Sequence, residues 1–86
     1  MKKYFVIYAS YLETEGLDAS FQMFDTEEEA KENLKKEYNC LQQMFKDSQT
    51  DYSFDCNDLT EDSYSISCQN YYGFEKFEAY ISKKEV

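Results

Sequence analysis

The sequence predicts a small single α+β domain over residues 1–86. Its expected form is an antiparallel β-sheet with one helix packed on one face, in the element order ββαβββ. Three observations predict it. From Thr26 onward, one long stretch carries apolar residues at helical spacing. The segments on either side are β-branched and aromatic and alternate as strands do. With no proline and only two glycines, the chain reads as regular elements joined by short polar turns.

The first strand is expected over residues 3–11, with Phe5, Ile7 and Ala9 on one face and Tyr4, Val6 and Tyr8 on the other. Glu13-Thr14-Glu15-Gly16 is a turn, and Gly16 is the residue free to take positive φ. Residues 19–24 return as a second strand, so the first two strands form a hairpin. Thr26 followed by Glu29 is a capping box, and Glu27 and Glu28 sit where the helix dipole favours negative charge. Ala30, Leu34, Tyr38, Leu41 and Phe45 then make one apolar stripe, widened by Met44. Glu32 and Lys36 are spaced as an i,i+4 ion pair on the wet face. The helix is expected to end at residues 46–48.

Beyond it, Tyr52, Phe54 and Cys56 alternate, and residues 57–62 break the pattern. Tyr64, Ile66 and Cys68 alternate again, and residues 70–73 turn into a last strand. There Phe77, Ala79 and Ile81 share one face, and Lys76, Glu78 and Tyr80 the other. If Phe5, Ile7, Phe77, Ala79 and Ile81 face the helix, Tyr4, Tyr8 and Tyr80 point outward on the open face of the sheet.

Charge narrows the function. Eighteen acidic residues against nine basic ones give −9, and every basic residue is lysine. That balance argues against direct binding to nucleic acid, which needs clustered Lys and Arg. It equally disfavours a negatively charged membrane surface. A basic protein surface is the natural complement, although net acidity also serves solubility alone. Three widely spaced cysteines are not the even framework of a secreted domain, and the N-terminal apolar run is too short for a signal peptide. The expected location is the cytoplasm, with reduced thiols.

Catalytic motifs are missing. Histidine is absent, which removes Ser-His-Asp and Cys-His nucleophile systems from this chain, and the two glycines form no phosphate loop. The protein is therefore expected not to be an enzyme and to carry no cofactor. Cys40, Cys56 and Cys68 lack close ligand spacing and read as small buried hydrophobes rather than a zinc set. Asp47, Gln49, Asp51, Ser53, Asp55 and Asp58 match the spacing of a calcium loop. Tyr52, where glycine belongs, and Asp58, where a bidentate glutamate belongs, break it.

What remains are acidic clusters and surplus tyrosine. Glu13 and Glu15 lie in the first turn, and Glu27, Glu28, Glu29 and Glu32 on the early helix. Asp51, Asp55, Asp58, Glu61 and Asp62 surround the third strand. Tyrosine combines a large apolar body with a polar tip, which suits an interface, and it also suits any exposed strand. The candidate partner-binding set is Tyr4, Tyr8, Glu27, Glu28, Glu32, Asp55, Asp58, Glu61, Asp62, Tyr71, Tyr72 and Tyr80.

The first functional expectation is an acidic inhibitor or modulator that occupies the basic nucleic-acid-binding surface of a partner, carboxylates replacing phosphates. In size, charge and aromatic content the chain resembles the small acidic anti-defence proteins of phages and mobile elements, anti-CRISPR proteins among them. No motif carries that resemblance. It implies a phage-encoded protein acting in the host cytoplasm. The alternative is a structural protein that self-associates, as a homodimer or larger, through a tyrosine-rich sheet face.

Overall fold

A computed structural model describes residues 1–85. The elements run β1 (Lys2–Leu12), β2 (Gly16–Phe24), α1 (Glu27–Asp47), β3 (Ser53–Leu59), β4 (Ser63–Asn70) and β5 (Gly73–Glu85). The strands form one antiparallel sheet in the order β2-β1-β5-β4-β3, and α1 lies across one face. The α+β class and the element order are as the sequence predicts.

The N-cap half of the capping box forms, and the Glu29 carboxylate meets the Thr26 hydroxyl rather than its backbone N–H. Thr26 Oγ1 accepts from the Glu29 backbone N–H at 3.2 Å and donates to Glu29 Oε1 at 3.0 Å. Both glycines have positive φ, +90° at Gly16 and +128° at Gly73. At Gly73 a Cβ would also displace the Glu13 carboxylate. The close approach has a use: Glu13 accepts from the Phe74 N–H at 2.7 Å, and its own N–H donates to the Phe74 carbonyl at 3.0 Å. These bonds tie the β1–β2 turn to the β4–β5 turn.

The core is small and sits between α1 and the middle of the sheet. Ala30, Leu34 and Phe45 of the helix are buried with Val6, Tyr64, Ile66, Cys68 and Ala79. Phe45 meets Tyr52, Phe54 and Phe77 edge-on, with ring centroids 4.9–5.8 Å apart. Leu41 and Tyr38 pack against this cluster, whereas Met44, expected to widen the stripe, is exposed.

Three strand readings need correction. In β1 the faces are exchanged: Tyr4, Val6 and Tyr8 point at the helix, while Phe5, Ile7 and Ala9 line the open face. Val6 is fully buried opposite Ile81. Tyr8 can face inward because its polar tip finds a partner, its hydroxyl donating to Asn33 of α1, while the Tyr4 ring lies under the Lys83 ammonium. In β3 a bulge intervenes between Phe54 and Cys56, so Phe54 pairs with Cys68 but Cys56 pairs with Ser67 on the opposite face. That bulge also carries the strand through to Leu59, past the expected break at residue 57, and turns Asn57 toward the helix.

Asn57 repays its position. Its Oδ1 accepts from Tyr38 Oη and Gln42 Nε2, each at 2.8 Å, and its Nδ2 donates to Gln42 Oε1 at 3.0 Å. With Asn33, which also donates to Gln22 at 3.3 Å, this gives the helix a polar seam along both margins of its apolar stripe. Burial pushes the Tyr8 and Tyr64 phenols up to about 12, helped by the charge of Glu37, and raises Tyr38 as well. The Cys68 thiol is pushed up to about 11, first by burial and then by Glu75 and Asp55.

Candidate partner-binding surfaces

The open face of the sheet is divided along its length. On the β1–β2 side, Phe5, Ile7, Ala9, Leu17, Ala19, Phe21 and Met23 share that face. Leu17, Phe21 and Met23 are 78%, 65% and 56% exposed, and Phe5 and Phe21 meet with centroids 5.8 Å apart. A shallow groove of about 410 Å³ runs between Phe5, Ile7, Phe21 and Lys84. On the β4–β3 side the same face carries Ser63, Ser65, Ser67 and Gln69, then Cys56 and Asp58. Between them β5 contributes Lys76, Glu78, Tyr80 and Ser82, with Lys76 and Glu78 paired at 3.1 Å.

The two ends of the sheet differ in charge. Segments 12–18, 47–55 and 69–75 contain no lysine. The register brings them to one end: Leu12 pairs with Glu75, Asn70 with Gly73, and Ser53 with Gln69. Glu13, Glu15, Asp18, Asp47, Asp51, Asp55 and Glu75 lie here, and none forms an ion pair among the described residues. In their midst Tyr71 and Tyr72 project from the β4–β5 turn, 91% and 67% exposed, as a perpendicular pair with centroids 5.4 Å apart. The turn is held by the Tyr72 N–H, which donates to Asn70 Oδ1 at 2.7 Å. At the other end, Lys2, Lys3, Lys83 and Lys84 gather where β1 starts and β5 finishes.

The expected site residues therefore separate into groups. Tyr71, Tyr72 and Asp55 belong to the lysine-free end. Tyr80 is half exposed on the open face and Asp58 lies on that face at the β3 edge. Glu27 and Glu61 come together across α1 and the β3–β4 turn, but around Lys31, at 3.5 and 3.9 Å, which partly neutralises them. Asp62 shares that turn, where it accepts from Thr60 Oγ1 at 3.1 Å. Glu28 and Glu32 are exposed on the helix among Lys35 and Lys36, and the expected Glu32–Lys36 pair is not closed. Tyr4 and Tyr8 are partly buried against the core on the helix face rather than on the open face.

Sequence reasoning missed the apolar half of the open face. Its signal was present: Leu17, Ala19, Phe21 and Met23 alternate with Asp18, Ser20 and Gln22, and β1 is apolar on both sides. Among the described residues, no group of three or more Cys, Asp or Glu side chains is placed to hold a metal ion. Cys68 is buried, Cys56 half-buried and Cys40 exposed, so the thiols are not uniformly core residues. No helix of the described chain is long and apolar enough to cross a membrane. Comparison with protein-family models, curated proteins and solved structures finds no match to this chain.

Proposed function

We propose that the protein is a non-catalytic acidic inhibitor or modulator. It docks its lysine-free end on the basic, nucleic-acid-binding surface of a partner protein. One observation carries this reading: three segments distant in sequence converge on an exposed tyrosine pair, with carboxylates that form no ion pair among the described residues. Tyrosine at the centre of an interface supplies apolar contact at low entropic cost, and charge around it steers a basic partner into place. The turns that present these groups are braced by the Glu13–Phe74 bonds, so the pattern is displayed on a fixed frame.

The test is affinity capture from the native host's lysate, followed by elution with salt. The expected partner is a nucleic-acid-binding protein that loses its nucleic acid when this protein is added. Reversing Glu15 and Asp51 to Lys together with Tyr71→Ala weakens capture at least tenfold. Reversing Glu28 and Glu32 to Lys, where lysines already dilute the acidity, weakens it less. A captured partner that binds the two variants equally well, or that keeps its nucleic acid, rejects the proposal.

A further inference from the structure

The sheet has two edges, and they are finished differently. The β3 edge is seven residues long, bulged after Phe54, and carries Asp55 and Asp58. Bulges and charges are what blunt an edge strand, whose free N–H and C=O groups otherwise template pairing with another strand. The β2 edge has no bulge and less charge. It runs nine residues, Gly16–Phe24, in unbroken register with β1, and its single charge is Asp18. Every β2 residue except Phe24 is exposed.

We infer that β2 pairs antiparallel with β2 of a second copy of this chain, about a two-fold axis at Ser20, to give one continuous ten-stranded sheet. Pairing centred on Ser20 sets Phe21 opposite Ala19 and Met23 opposite Leu17 of the second copy, so every pair on the open face is apolar. On the helix side Gln22 meets Asp18 and Phe24 meets Gly16, and within the paired strands no like charges oppose; just beyond them Glu15 faces Asp25, whose charge Lys3 offsets. The two apolar half-faces then merge into one four-stranded band.

Charge favours this orientation over the parallel one. Each chain carries −9, which opposes any self-association. Antiparallel pairing, however, lays the acidic start of one β2, with Glu13, Glu15 and Asp18, along the end of the other β2, where Lys3 offsets the charge of Asp25. The two lysine-free ends point in opposite directions, as far apart as the sheet allows. Parallel pairing would instead bring like ends together. Two nine-residue edges with their flanking Leu17, Phe21 and Met23 side chains cover on the order of 1,000 Å² in total, the size at which specific interfaces begin.

Sedimentation and light scattering of the purified chain test this directly. The expected species at micromolar concentration is a dimer, twice the 10.3 kDa chain mass. Leu17→Lys with Met23→Lys raises the dimer dissociation constant at least tenfold while far-UV circular dichroism stays unchanged. Asp58→Lys, on the β3 edge, leaves it where it was. Ser20→Cys in a Cys40→Ser background joins two copies through a short bismaleimide, and this reports the pairing even if the lysine variant fails to fold. A monomer across the concentration range, a dimer indifferent to Leu17→Lys with Met23→Lys, or no linkage at position 20 overturns the inference. The dimer is measured on the purified chain with no partner present, and Ser20 and Met23 lie outside the lysine-free segments, so this outcome is distinguishable from that of the partner-binding proposal.

Discussion

The two faces of this sheet invert the usual distribution of polarity. The helix-covered face holds Tyr4, Tyr8 and Tyr64 beside Val6, Ile66 and Ala79, while Leu17, Phe21 and Met23 stand on the open face. The difference teaches what decides placement here. A phenol can be packed if its tip reaches a partner, as Tyr8 reaches Asn33 of α1 and Tyr38 reaches Asn57 of β3. An apolar side chain asks only for cover. On the open face the described residues supply no such cover, which is the observation behind the proposed pairing of β2. The serines of β4, on the same face, need none.

The largest expected effects lie under the helix. Leu34 is 1% exposed at the centre of the stripe, so Leu34→Ala costs about 2–5 kcal/mol by lost transfer energy and the cavity left behind. Chemical denaturation of the monomeric protein checks it. A loss below about 1 kcal/mol would mean that α1 packs loosely, and the contrast between the faces would collapse.

Alkaline pH probes the same face through its phenols. Tyr64 keeps its proton to about pH 12 when folded and releases it near pH 10 when unfolded. Folding therefore retains a proton that the unfolded chain loses, so this stability is intact below pH 10 and disappears between pH 10 and 12. For Tyr64, which is 6% exposed, the loss is on the order of 2 kcal/mol. Tyr8 acts in the same window, and Cys68 adds an earlier decline between pH 9 and 11. Unfolding midpoints measured across pH 8–12 are expected to fall, with a shallower slope in Tyr64→Phe. An unchanged slope in that variant would place the ring in water.

The polar seam is worth less. Asn57→Ala leaves Gln42 and the Tyr38 hydroxyl without their partner at a half-buried site, an expected loss of about 1–2 kcal/mol. Gln42→Ala and Asn57→Ala are expected to be non-additive in a double-mutant cycle, since they remove the same bonds.

These effects show where the sequence was readable. The helix and its cap were legible because Thr26, Glu29 and the Ala30-Leu34-Tyr38-Leu41-Phe45 spacing are local signals. The alternation of β4 and β5 was legible for the same reason, each strand having one apolar and one polar face. β1 was not, because residues 4–9 are apolar or aromatic on both sides and the phase is set by pairing with β5 and by Asn33, distant in the chain. The β3 bulge was hidden too, for nothing local to Asp55 announces an extra residue. The lysine-free end was the least visible: Glu13, Asp51 and Tyr71 became neighbours only through strand order, which periodicity does not encode.

The smallest expected effect sharpens the comparison most. Leu17 is 78% exposed on β2, so in the monomer Leu17→Ser is expected to change unfolding stability by no more than about 0.5 kcal/mol, as surface substitutions do. A residue of the same type under the helix, Leu34, stands several kcal/mol away on the same scale. If Leu17→Ser is instead destabilising only at concentrations where copies associate, its cost belongs to the interface and not to the fold. Stability measured at two protein concentrations separates these cases, because dimerisation makes the midpoint depend on concentration and a monomeric fold does not. The apolar half of the open face is then a surface whose cover comes from outside the chain.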